Sequence, residues 1–190
     1  MPDEATLRKK ANNTVNLLRD LSPNDKGRTL VVVECPKGAT VKLKYDADRN
    51  IFAWSRGLPA GVAFPADFGF VPRTLAGDGD ALDALVLGSS AGFPGVVVPS
   101  RLIGVLEVFQ TRDGGPEKDN HRLLAVPENE HRFADIGQPI DLGQRRLLEL
   151  ESFFQASLAL TGKQIRVAGW KDSHHAADLV RRSHDAFNND

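Results

Sequence analysis

Apolar positions change their spacing along the chain, and each change predicts a different element. Between Ala5 and Leu21 the apolar residues Leu7, Val15, Leu17, Leu18 and Leu21 stand among polar ones. This spacing predicts a helix, which the breakers Ser22-Pro23-Asn24-Asp25 close. Residues 1–25 are read as an appended helical segment that packs on a partner or on the wall of the domain. From Thr29 onward the texture becomes short β-branched runs: Thr29 to Glu34, Thr40 to Tyr45, Ile51 to Trp54, Ala84 to Leu87, Gly95 to Val98, Leu102 to Phe109 and Arg122 to Val126. Closely spaced short strands with Gly and Pro between them predict a twisted antiparallel barrel.

In Gln144 to Leu160 the pattern changes again, because Leu147, Leu150, Phe154 and Leu158 recur at spacings of three and four and share one helical face. Thr161-Gly162 ends that helix. Gln164 to Ala168 reads as a last strand, and Ser173 opens a C-terminal helix with Ala176, Leu179 and Val180 as its apolar stripe. No internal repeat or linker interrupts the run. The expectation is one domain over residues 1–190 with an α+β, mainly β fold: an OB-like antiparallel Greek-key barrel with flanking α-helices.

Composition narrows the function. At 41% hydrophobic and 26% charged, the chain has the make-up of a globular protein rather than a disordered or membrane one. A formal net charge of -1 supplies no global field to draw in nucleic acid or an anionic membrane, so any charge-based function must be local. The first twenty residues hold no apolar run of signal-peptide or membrane-spanning length. Cys35, the only cysteine, excludes an intramolecular disulfide and a thiolate zinc site; a reducing, cytoplasmic location fits best. Cys35 itself reads as a small core residue.

The local charge that stands out is Asp78-Gly79-Asp80-Ala81-Leu82-Asp83. A glycine-rich turn there aims several carboxylates at one spot, and like charges so placed repel unless a cation neutralises them. Hard oxygen donors of this kind suit magnesium or manganese. A solvated acidic loop or an Asx turn is the plainer alternative. A calcium loop of the EF-hand type is not matched, because its closing glutamate falls on Ser89.

The context adds more. Glu34-Cys35-Pro36-Lys37-Gly38 through Lys42-Leu43-Lys44-Tyr45-Asp46, then Arg56, then Phe64-Pro65-Ala66-Asp67-Phe68-Gly69-Phe70-Val71-Pro72, then the acidic run, resembles the ordered core of the family I inorganic pyrophosphatases. Ile103-Gly104-Val105-Leu106, Leu124-Ala125-Val126-Pro127 and Phe153-Phe154 continue the likeness, which covers Thr29 to the C-terminus. The resemblance implies Mg2+-dependent hydrolysis of inorganic pyrophosphate, with Mn2+ as a substitute, by a soluble homo-oligomer that binds neither nucleic acid nor membrane. It implies Asp78, Asp80 and Asp83 as metal ligands, with Asp80 also activating the attacking water. Glu34, Lys42 and Arg56 would serve on the substrate side.

The departures from the family pattern are specific. Phe68 stands where a phosphate-binding tyrosine is usual, and Ser157-Leu158 where a tyrosine and a lysine are usual; Arg73, Arg122 or Arg166 are the candidates to compensate. The second carboxylate pair falls in a lengthened segment. Counting from Gly104 and back from Leu124 gives Gln110 and Asn120; placing the insertion earlier gives Asp113 and Asp119 as the metal ligands. A weak or inactive relative serving as a binding module, and a hydrolase of another phosphate compound, are the alternative readings that these departures open.

Overall fold

The computed structural model describes residues 14–189. Its strands are β1 (Asn24–Asp25), β2 (Arg28–Cys35), β3 (Val41–Asp46), β4 (Ile51–Gly57), β5 (Asp67–Phe70), β6 (Asp83–Val86), β7 (Val97–Arg112), β8 (Lys118–Asp119), β9 (Arg122–Pro127) and β10 (Lys163–Lys171), with helices α1 (Gln144–Leu158) and α2 (Ser173–Asn189). Strands β2, β5, β6, β9 and β7 pair in that order, and β7 pairs back onto β2, so the sheet closes into a ring. Closure removes the free edges that an open sheet would expose. The pair β6–β9 is parallel; the other pairs of the ring are antiparallel.

The two apolar runs on either side of Pro99-Ser100-Arg101 belong to one long strand, β7. Proline is compatible with extended backbone, and β7 changes partner at this place, from β2 before Ser100 to β9 after it. A bulge between Leu102 and Gly104 bends the strand there. Its second half then pairs with β10 and β8. Strand β5 was hidden in the sequence by Pro65, Gly69 and Pro72. The glycine is required: a Cβ on Gly69 would lie 1.8 Å from the Val32 carbonyl oxygen, so only a residue without a side chain lets β5 pass so close to β2.

Of the predicted N-terminal helix, residues 5–13 lie outside the described residues. Residues 17–20 form a turn, closed by the Asp20 amide on the Asn16 carbonyl at 2.9 Å. That turn packs on the barrel wall: Leu17, Leu18 and Leu21 lie against Val32, Tyr45 and Phe70, and the Leu17 amide donates to the Tyr45 hydroxyl at 3.0 Å.

Helix α1 follows the predicted face through Phe154, whereas Leu158, expected on the same stripe, is only partly buried. Leu147, Leu150, Phe153, Phe154 and Ser157 are buried, and the aromatic pair meets Phe64 and Phe68 at ring distances of 5.1 to 6.4 Å. Helix α2 buries Ala176 and Val180 against Val105 and Leu123 on the other side of the barrel. Leu150 is fully enclosed in the first of these clusters. Leu150→Ala is therefore expected to destabilise the protein by about 3 kcal/mol, read from urea unfolding midpoints at an unchanged slope.

Candidate functional site

One end of the barrel opens into a cavity of about 370 Å³. Several elements bring polar side chains to it, and they come from distant parts of the sequence. Strand β2 contributes Glu34; β3 contributes Lys42 and Lys44, two residues apart on one face; β4 contributes Arg56. The acidic turn contributes Asp78, Asp80 and Asp83. Across from these lie Gln110 and Arg112 of β7, Asn120, Arg122 of β9, Leu158 of α1 and Lys163 of β10. Leu18, from the N-terminal turn, reaches the same rim.

The backbone explains why the acidic residues converge. The Ala76 amide donates to the Asp80 carbonyl at 2.8 Å, the Gly79 amide to the Ala76 carbonyl at 3.0 Å, and the Asp80 amide to the Asp78 carboxylate at 3.2 Å. Gly79, at a φ of +91°, occupies the left-handed region this closure needs. The plain Asx-turn reading is thus correct as geometry, and the turn faces its carboxylates into the cavity. Burial pushes the Asp78 carboxyl up from its ordinary value, and the neighbouring Asp83 and Asp80 add to this.

Glu34 is buried, accepts a hydrogen bond from the Tyr45 amide at 2.7 Å, and has its pKa pushed up to about 7 by burial. The folded state therefore holds this proton more tightly than the unfolded chain between pH about 4.5 and about 7. Stability that depends on the proton is present at the acid end and falls as pH rises through that window. In the metal-free protein, Glu34→Gln is expected to remove this slope and to leave the variant more stable than the parent at pH 8 by about 1 kcal/mol or more. Parallel stability-against-pH curves for the two proteins would contradict the assignment.

Two of the three aspartates are already in ion pairs. Lys44 Nζ lies 2.6 Å from Asp80 Oδ1, in a half-exposed pair. Arg122 Nη1 lies 2.8 Å from Asp83 Oδ2, and here the side chains are only 9% and 18% exposed. The parallel register sets Asp83 opposite Arg122, which explains the second pair. Arg122 also donates to the Asn120 carbonyl at 2.7 Å and to the Asn120 side-chain oxygen, and it lies 5.6 Å from the Phe154 ring centre. Asp78 makes no ion pair among the described residues.

All the residues singled out around the acidic run (Glu34, Lys42, Arg56, Asp78, Asp80 and Asp83) line this one cavity. Asp113 and Asp119 do not. Asp113 sits at the tip of the β7–β8 hairpin at a φ of +50°, beside Arg112, and Asp119 lines a separate hollow with Glu107, His121 and His175. Gln110 and Asn120 face the cavity instead: the Asn120 side-chain Nδ2 donates to the Gln110 side-chain oxygen at 3.2 Å. Asp113 is carried away in the hairpin turn after β7, and Asp119, the last residue of β8, lines the hollow on the other side from Asn120.

Of the three arginines considered as compensating, only Arg122 lines the cavity. Arg73 bonds to Asn188, and Arg166 pairs with Glu117 over the Phe109 ring. Phe68 is enclosed in the aromatic core beneath Lys42, whose ammonium lies 5.2 Å from its ring centre. Ser157 is buried with its hydroxyl on the Phe154 carbonyl, so only Leu158 of that pair reaches the cavity. Lys44, Arg112 and Lys163 were missed by sequence reasoning; the one available signal was the two-residue spacing of Lys44 from Lys42.

Among the described residues no three carboxylate, imidazole or thiol groups close on one point, so Asp78 and Asp80 are the pair whose hard oxygens could take a divalent cation, the half-exposed Lys44 pair being weak enough to yield. Asp83 fits less well, being held by buried Arg122.

The chain compares closely with known proteins. Residues 31–188 match a family model described as inorganic pyrophosphatase. An inorganic pyrophosphatase of Synechocystis is 39% identical over 150 residues, covering 79% of this chain and 86% of the relative. One from Thermus thermophilus is 36% identical over 169 residues, covering 86% and 94%. The crystal structure of inorganic pyrophosphatase from Thermus thermophilus superposes at a TM-score of 0.83 with 33% identity, over 92% of this chain and 99% of that one.

Proposed function

This chain belongs to the inorganic pyrophosphatase family, and from that premise we propose that it hydrolyses pyrophosphate to two phosphates in the cavity bounded by Glu34, the acidic turn and Arg122. The observation that carries the site assignment is the convergence of the acidic turn with Lys42 and Arg56 on one cavity that admits a small anion.

Lys42 and Arg56 bind the phosphoryl oxygens, Arg56 through its fixed fork of donors. Asp80 orients the attacking water and accepts its proton, a role that requires hydrogen-bond reach to that water. Asp78 and Asp80 would hold the divalent ion, for which Mg2+ is proposed and Mn2+ is the expected substitute. When bound, that ion supplies charge neutralisation and a more acidic water. Arg122 keeps Asp83 in place on the cavity wall. Lys44, in a half-exposed pair, would be free to give up Asp80 to such an ion, because a pair of this kind contributes little on its own.

Among the described residues no helix is long and apolar enough to cross a membrane. A cytoplasmic location and a homo-oligomeric state are part of the same proposal, supported by the single buried thiol of Cys35 and by exposed apolar Trp54 and Phe93.

A substrate panel tests the reading: phosphate release from pyrophosphate, a nucleoside triphosphate and a sugar phosphate, each with and without magnesium. Pyrophosphate with magnesium is expected to exceed the others by about tenfold or more. A preference for the sugar phosphate or the nucleotide would move the assignment to a different phosphate compound.

A further inference from the structure

The cavity does not carry the charge pattern of a cage built for metal ions alone. Among its lining side chains the cations Lys42, Lys44, Arg56, Arg112, Arg122 and Lys163 outnumber the carboxylates six to four. Two of those carboxylates are neutralised from within, Asp80 by Lys44 and Asp83 by Arg122. The facing positions, Gln110 and Asn120, are neutral amides bonded to each other, and an amide oxygen so engaged holds a divalent ion far less well than a carboxylate.

Arg122 is fixed rather than adventitious. It is buried, it bonds to Asp83 and Asn120, and its Nε is buried with no hydrogen-bond partner among the described residues. A buried guanidinium with an unused donor is an unfinished hydrogen-bonding group at the cavity wall. Opposite the acidic turn the positive charge is also unbalanced. Burial, and then repulsion from Lys42 and Arg112, holds the Lys163 ammonium below its ordinary value. Lys42, Arg56 and Lys163 make no ion pair among the described residues. Crowded cations of this kind want a polyvalent oxyanion.

We propose, on the reading of this cavity as the pyrophosphate site, that Lys44 and Arg122 are built-in cations that replace part of the divalent-metal complement, so that the cavity binds the pyrophosphate anion itself, free of metal. Lys42, Arg56, Arg112 and Lys163 take up its phosphoryl oxygens. The two internal cations differ in permanence. Arg122 stays on Asp83 because breaking a buried pair strands a charge, whereas Lys44 sits in an exposed pair and can be exchanged for a metal ion. Metal then serves turnover at Asp78 and Asp80 and is not required for capture of the anion.

The test is titration calorimetry with methylene diphosphonate, a non-hydrolysable diphosphonate, in buffer containing a chelator and again with magnesium. The parent protein is expected to bind the diphosphonate without metal. Lys44→Glu, which places a third negative charge beside Asp78 and Asp80, is expected to weaken that metal-free binding about tenfold or more while magnesium restores it. Lys163→Gln is expected to weaken binding in both buffers. Circular dichroism melts of both variants check that they fold, which the exposure of the Lys44 pair favours. Binding by the parent only when magnesium is present overturns the inference and leaves the proposed function intact. Metal-free binding that Lys44→Glu does not change overturns the role given to Lys44. Absence of binding in both buffers, together with no magnesium-supported phosphate release, removes the pyrophosphate reading of the cavity itself.

Discussion

Asp80→Asn is expected to lower kcat for pyrophosphate by about 10² to 10⁴-fold while changing stability by no more than about 0.5 kcal/mol. The reasoning separates chemistry from folding. Asp80 is half exposed, and its partner Lys44 is too, so the pair adds little to the folded state. The amide has the shape of the carboxylate and keeps one acceptor for Lys44, but it cannot take a proton from water. An effect confined to the transition state lowers kcat and kcat/KM together. Magnesium affinity, followed by the rise in melting temperature with added metal, is expected to fall as well, because Asp80 is one of the two carboxylates that would hold the ion, but by a smaller factor than kcat. If turnover and metal affinity fall by the same factor, Asp80 is an ordinary ligand and the general base lies elsewhere.

Asp83→Asn is expected to behave in the opposite way, destabilising the protein by about 3 to 5 kcal/mol because it leaves Arg122 buried without its counter-charge. The two aspartates are three residues apart in the same acidic run, yet one belongs to solvent and the other to the barrel wall. The paired change Asp83→Leu with Arg122→Met removes both charges and is expected to recover most of the lost stability without recovering activity. Urea unfolding of the single and double variants decides the matter. A single variant as stable as the parent would mean that the pair is not what holds this wall.

Much of the architecture was legible because each element obeys a simple period. The β-branched runs around Val31, Leu43 and Leu124 and the three-four spacing of Leu147, Leu150 and Phe154 all became the elements they suggested. Strand β5 was not legible, since Gly69 looks like a breaker until β2 is known to pass within van der Waals reach of it. The continuity of β7 through Pro99 was hidden for a related reason: a proline marks a boundary in one dimension and a change of partner in three.

For the site, Glu34, Lys42, Arg56 and the acidic run were legible as a set because their order along the chain follows the family. Which residues of the lengthened segment face the cavity was not, because counting from its two ends gives different answers and only the β7–β8 register chooses between them. The cations Lys44, Arg112 and Lys163 look like ordinary surface charges one at a time. Their meaning lies in convergence from β3, β7 and β10, which no local pattern encodes.

The most direct test of the assignment is to follow pyrophosphate by phosphorus NMR in the presence of the purified protein and magnesium. The pyrophosphate resonance is expected to convert to orthophosphate, to stop converting when a chelator in excess of the metal is added, and to persist with Asp80→Asn over the same time. A pyrophosphate signal that stays unchanged with the parent protein across magnesium and manganese concentrations would contradict hydrolysis at this cavity.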